Sequence, residues 1–144
     1  MQQIRDLVKE DPQAIWLVVD MAYPATNIPA MAGADCLNTT QTYPQKTRWE
    51  MLDQEGEYED IYNRYCHIRA SLGSKTMLEL VSTDYVEVTL SPEELKKLNI
   101  RYIVSTNDFD EKIAAGITNI FTDSGIEFQK YYEGAQLSIF RCVY

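Results

Sequence analysis

SPEELKKLNIRYIVS, residues 91–105, reads as a short helix that runs straight into a buried strand. Ser91 is a favourable N-cap, and Pro92 stands at the first helical position, where a missing N–H costs nothing. Glu94 follows Ser91 by three residues, the spacing of a capping box. Lys96 and Lys97 fall in the last turn, where cations suit the helix dipole. Asn99 is a residue type that accepts the left-handed conformation at a helix end. Ile100–Ser105 is β-branched and aromatic, as strands are. A helix feeding an apolar strand is half of an α/β crossover unit, and the other segments are expected to pack around it.

Upstream, Ile4, Leu7 and Val8 recur at helical spacing and predict a helix over 2–10, ended by Asp11-Pro12. AIWLVVD, 14–20, is a continuous apolar run of the kind covered on both faces of a sheet. Residues 21–46 form the longest irregular stretch, with a helical turn expected over Ile28–Ala32 and a short strand over Ala34–Asn38. Residues 45–63 predict two helical pieces broken near Gly56. Residues 65–72 and 76–83 alternate and predict a hairpin about Gly73-Ser74-Lys75, followed by a strand over 85–90. Thr118–Ser124 predicts a helical turn closed by Gly125. Segments 126–133 and 135–144 predict a final antiparallel hairpin through Glu133-Gly134.

These elements specify one α/β domain, 1–144, in three layers. Its sheet is expected to be mixed and partly parallel, with 14–20 and 101–105 parallel and central. Helices are expected on both faces and the C-terminal hairpin at one edge.

The 144 residues carry a formal net charge of -9. An acidic chain lacks the basic footprint that nucleic acid or anionic lipid demands. No apolar run reaches the roughly 18 residues of a membrane span. Three cysteines without CxxC spacing make neither a zinc site nor a disulfide framework. There is no GxGxxG, Walker A loop or GxSxG elbow, so no cofactor is expected. His67 is the only histidine and has no second histidine at ligand spacing. Asp20, at the carboxyl end of a central strand, occupies a frequent ligand position in α/β proteins, and also a routine loop cap. Pairing of Asp20 with Asp35 or Asp84 would bring two carboxylates together, which spacing alone does not establish. Asn38-Thr39-Thr40 matches the N-glycosylation acceptor pattern.

The order of motifs is itself distinctive: WLVVD at 16–20, GADCLN at 33–38, TYP at 42–44, YNRYCHI at 62–68, DYVEV at 84–88, LKKLNIRYIVS at 95–105 and SIFRCVY at 138–144. This order resembles the C-terminal extracytoplasmic domain of large bacterial polytopic membrane proteins of the YfhO-like, GT-C glycosyltransferase-like type. The resemblance implies a non-catalytic module outside the bacterial cell membrane, beside a bundle that transfers sugar from a lipid carrier. Its partners would be its own transmembrane region and glycan or lipid-linked sugar. No catalytic residue carries over, because the family's catalytic acids lie in the membrane part. If this module holds glycan, the expected contacts are Asp20, Tyr23, Asn38, Tyr43, Asn63 and Arg64, whose rings stack on sugars and whose amides and charges bind hydroxyls. Each also has a purely structural reading as a loop or turn residue. Two other readings stay open: a free-standing small α/β hydrolase acting at Asp20, and a structural interaction module.

Overall fold

The computed structural model describes residues 1–144. Its elements, in order, are α1 (Gln2–Glu10), β1 (Ile15–Val18), a 3-10 turn (Ala25–Asn27), α2 (Ile28–Met31), β2 (Asp35–Cys36), α3 (Lys46–Leu52), α4 (Glu59–Tyr62), β3 (His67–Leu72), β4 (Met77–Ser82), β5 (Tyr85–Leu90), α5 (Pro92–Leu98), β6 (Ile100–Ser105), α6 (Asp108–Ala114), α7 (Asn119–Asp123), β7 (Glu127–Glu133) and β8 (Ser138–Val143). It is an α/β domain. A mixed five-stranded sheet runs in the order β2-β1-β6-β8-β7. β1 pairs parallel to both β2 and β6, and the β7–β8 hairpin is antiparallel at one edge.

Period-two alternation explains how this sheet divides its side chains. Trp16, Val18, Tyr102, Val104 and Ile139 face one side, where Ile4 and Leu7 of α1 cover them. Leu17, Val19, Ile103, Phe140 and Cys142 face the other, against Trp49, Leu95, Leu98, Phe109 and Phe121 from the remaining helices.

The helix–strand unit at 91–105 is as expected in outline. Asn99 is left-handed (φ 52°) and closes α5 on the Leu95 and Lys96 carbonyls. The capping box does not form. Thr76 donates its hydroxyl to Ser91 Oγ at 3.1 Å and accepts the Ser91 N–H at 3.1 Å. Glu94 instead turns to Lys97 at 3.5 Å. Tyr144 reinforces the α5–β6 junction, its hydroxyl lying 2.9 Å from the Leu95 carbonyl oxygen and 2.6 Å from that of Ile100.

One expectation is corrected: 65–72 and 76–83 are not a hairpin. They belong to a second, three-stranded sheet of order β3-β5-β4, in which β5 lies between them. β3 is parallel to β5 and β4 antiparallel to it. The tight turn lies between β4 and β5, while Gly73–Thr76 crosses the end of β5. A Cβ on Gly73 would sit 2.6 Å from Thr89 Cγ2, so the crossing passes at contact distance. Gly73→Ala is expected to destabilise by about 1–3 kcal/mol through overpacking. Thr89→Ala, which removes that methyl, should recover much of the loss. A double-mutant cycle in denaturant checks it, and additive effects would rule out the contact. The C-terminal hairpin also differs slightly, turning through the four residues Gly134–Leu137, with Gly134 N–H bound to Leu137 O at 2.8 Å.

The two sheets meet at β1. β2 pairs with Ile15 and Trp16, and Leu37 N–H then bonds Trp16 O at 2.9 Å. β3 arrives only at Val19, which bridges Ala70 in parallel. Val18 is left between the two strands. Asn38 fills the gap: its Oδ1 accepts Val18 N–H at 2.9 Å, and its Nδ2 donates to Val18 O at 2.8 Å and Ile68 O at 3.4 Å. One side-chain amide thus stands in for a missing strand residue.

Candidate ligand-binding cleft

Asn38 is therefore corrected from a surface contact to a buried structural group, with 0% of its surface exposed. The same burial withholds its amide from glycosylation in the folded chain. The segment that follows is built on a second buried amide. Gln41 donates Nε2 to the Tyr62 and Arg64 carbonyls, both at 2.7 Å, and its Oε1 accepts the Trp49 indole N–H at 2.6 Å. Its backbone exchanges hydrogen bonds with Cys66 at 2.8 and 3.0 Å. Polar groups this deep must be partnered, and here the partners are what shape the loop.

With Asn38 and Gln41 anchored inward, Thr39, Thr40, Thr42 and Tyr43 are left partly or fully exposed. A cleft of about 240 Å³ opens between this segment and α3. Thr39, Thr40, Thr42 and Gln45 line it with hydroxyls and an amide, above Trp49 and Ile68. Tyr43 stands at its mouth, 83% exposed. Arg48 pairs with Asp35, and its Nη1 is shielded from solvent without a partner, a spare donor beside the cleft. Trp49 stacks on Tyr62 with centroids 5.1 Å apart and planes 3° apart, which fixes the floor.

Thr40 also touches a second group. Asn27 Nδ2 donates to Thr40 Oγ1 at 3.0 Å, while Asn27 Oδ1 accepts Thr39 Oγ1 at 2.7 Å and Thr40 N–H at 2.8 Å. The Thr40 hydroxyl proton is then free for His67 Nδ1, 3.0 Å away. Tyr23 lies tilted over His67 with centroids 4.1 Å apart and planes at 31°, and Tyr65 meets it edge-on at 5.6 Å. Tyr23, at the cis Tyr23–Pro24 peptide, and Tyr65 are each about half exposed.

The remaining expected residues lie apart. Asp20 follows β1 in a left-handed conformation (φ 59°), its N–H bound to Ala70 O at 2.9 Å and its carboxylate paired with Lys112. Asp35 pairs with Arg48, and Asp84 accepts the Ser82 hydroxyl at 3.2 Å, so the three aspartates go to three different partners. Arg64 donates to the backbone carbonyls of Thr83 at 3.1 Å and Asp60 at 2.6 Å, a structural use. Asn63 ends α4 beside a separate depression of about 330 Å³ rimmed by Glu50, Asp53 and Glu59. Of the expected six, only Tyr43 and Tyr23 reach the cleft and its neighbouring patch. The threonines of TTQT at 39–42, Arg48, Trp49, Tyr65 and His67 were not anticipated; the density of hydroxyls at 39–42 was the available signal.

The chain belongs to the family described as Domain of unknown function (DUF7654), whose profile matches residues 1–144. No curated protein and no solved structure matches it. No helix is long and apolar enough to cross a membrane.

The cysteines of the DUF7654 domain are free and buried. Burial pushes the Cys36 and Cys142 thiols up to about 12 and that of Cys66 to about 11, from a usual 9.0. A disulfide-exchange reagent at pH 8 is expected to leave all three intact in the native protein and to titrate all three in denaturant. Because the folded values are raised, the unfolded chain loses these protons first. Stability should hold below about pH 9 and fall as pH rises from there toward 11–12. A thiol that reacts at pH 8 without unfolding would contradict this burial.

Proposed function

We propose that this domain is a non-catalytic binding module for neutral glycan, carried on the extracytoplasmic side of a membrane-embedded glycosyltransferase-like protein. The observation that supports it is the cleft under Tyr43: an exposed aromatic ring above a floor of tryptophan, walled by hydroxyls and one amide. An aromatic face suits the apolar face of a sugar, and threonine and glutamine suit its hydroxyls. The reading of binding without catalysis is supported by how the candidate catalytic groups are employed. Asp20 pairs with Lys112, His67 Nδ1 faces Thr40, and the thiols are buried. The membrane context rests on the resemblance of motif order, and it predicts about ten apolar spans of ~20 residues each upstream in the gene.

Calorimetric titration with a panel of neutral hexose and N-acetylhexosamine oligosaccharides tests the binding. Binding is expected, weakened about 3- to 10-fold by Tyr43→Ala, the equivalent of one aromatic stacking contact. Absence of heat across the panel, or a Tyr43→Ala variant that binds like the wild type, would overturn the reading. The hydrolase alternative draws on the left-handed backbone of Asp20, since such backbone strain often marks functional sites. It requires product formation that Asp20→Asn abolishes.

A further inference from the structure

The cleft, at about 240 Å³, lies below the roughly 300–1,000 Å³ of sites for drug-sized ligands. It has room for one ring-sized group. A longer ligand must leave it across the neighbouring surface, and Thr40 is a wall shared with an aromatic cluster. The Thr40 side chain lines the cleft and its hydroxyl touches His67 Nδ1 at 3.0 Å. Beyond it lie Tyr23 and Tyr65, 50% and 51% exposed, arranged about the imidazole.

This cluster has no evident structural need for so much open ring. Tyrosines that merely complete a core bury their faces, whereas these two leave half of theirs in solvent. His67 Nε2 has no partner in the chain and is not shielded from solvent, so it is free to hydrogen-bond a ligand. Charge on the same sheet face is already spent: Arg69 lies 3.4 Å from Glu87. The net charge of -9 would repel an anionic chain.

We propose that the Tyr23–His67–Tyr65 cluster is a second sugar position, joined to the cleft through Thr40, so that the domain takes an extended neutral oligosaccharide rather than a single sugar. The inference rests on the glycan reading above and adds to it the length and the path of the ligand. Tyr23 and Tyr65 supply stacking faces, and His67 Nε2 hydrogen-bonds a sugar hydroxyl. Asn27, by fixing Thr39 and Thr40, keeps the two positions in register.

Because His67 is the only histidine, its imidazole resonances are assigned without a mutant. The experiment is an NMR titration of the protein with a mono-, di-, tri- and tetrasaccharide of one neutral sugar. His67 ring and Trp49 indole signals are followed together, in wild type and in Tyr65→Ala. Expected is a Trp49 shift with every member and a His67 shift only with the longer ones. Affinity should gain about 3- to 10-fold on reaching the second position, a gain that Tyr65→Ala removes while monosaccharide binding persists. A Trp49 shift with length-independent affinity and a still His67 would overturn the second position and leave the glycan reading standing. No shift of either residue with any sugar would overturn both.

Discussion

Asn38→Ala is expected to be the most damaging single substitution on this chain outside the apolar core. It orphans the Val18 N–H, the Val18 carbonyl and the Ile68 carbonyl, all sealed between two sheets. Each unsatisfied buried group costs about 1–3 kcal/mol, which puts the loss at about 3–5 kcal/mol and the drop in Tm at roughly 6–15 °C. A domain of this size has about 5–15 kcal/mol in all, so folding itself is at stake. Asn38→Asp refines the test. Its carboxylate still accepts the Val18 N–H but faces two carbonyl oxygens with a charge and no donor. The deficit against wild type should be large at pH 7 and should shrink toward pH 4, where a protonated carboxyl regains a donor. A loss under about 1 kcal/mol for Asn38→Ala would mean the strand gap is closed by something else.

Gln41→Leu is the second large effect. The substitution keeps side-chain bulk but strands the Trp49 indole N–H and the Arg64 carbonyl, and it leaves the Tyr62 carbonyl with only the Arg64 N–H. A loss of about 3 kcal/mol is expected in denaturant unfolding. The near-UV circular dichroism of the stacked Trp49–Tyr62 pair should weaken with it, because Gln41 holds the indole in place. Saccharide binding should fall too, since Trp49 is the cleft floor. If stability drops while the dichroism is unchanged, Gln41 supports the loop without orienting Trp49.

These two amides mark the boundary of what was legible in the primary structure. The helices and strands were readable because their signals are local: Pro92 and Asn99 bracket α5, Gly125 stops α7, and apolar runs name β1 and β6. The parallel pairing of β1 with β6 and the edge hairpin follow from those elements. The insertion of β5 between β3 and β4 was not legible, because an alternating strand reads the same whichever neighbour it takes. The only local clue was Gly73, and a glycine between two strands first reads as a hairpin turn. The capping box failed for a related reason: Thr76, fifteen residues upstream of Ser91, takes the serine hydroxyl.

The site was half legible. The loop 21–46 was recognisable as the longest irregular stretch, but irregularity does not say which residues point inward. Asn38 and Gln41 face the core and Tyr43 faces solvent, an assignment made by β1, β3 and α4, whose backbone groups needed partners. Arg64, expected at a binding surface, serves the backbone for the same reason. His67, expected to be structural, is held by Thr40 on one side and free on the other.

The most direct test of neutral-sugar recognition at the cleft is the Trp49 indole N–H resonance during titration with a neutral oligosaccharide. Trp16, the one other tryptophan, is packed against Tyr102 on the far face of the larger sheet and serves as internal control. The account predicts a saturable shift of the Trp49 signal, a still Trp16 signal, and no change in the sugar on prolonged incubation. A Trp49 signal that stays in place at saturating sugar, or a sugar that is cleaved, would contradict it.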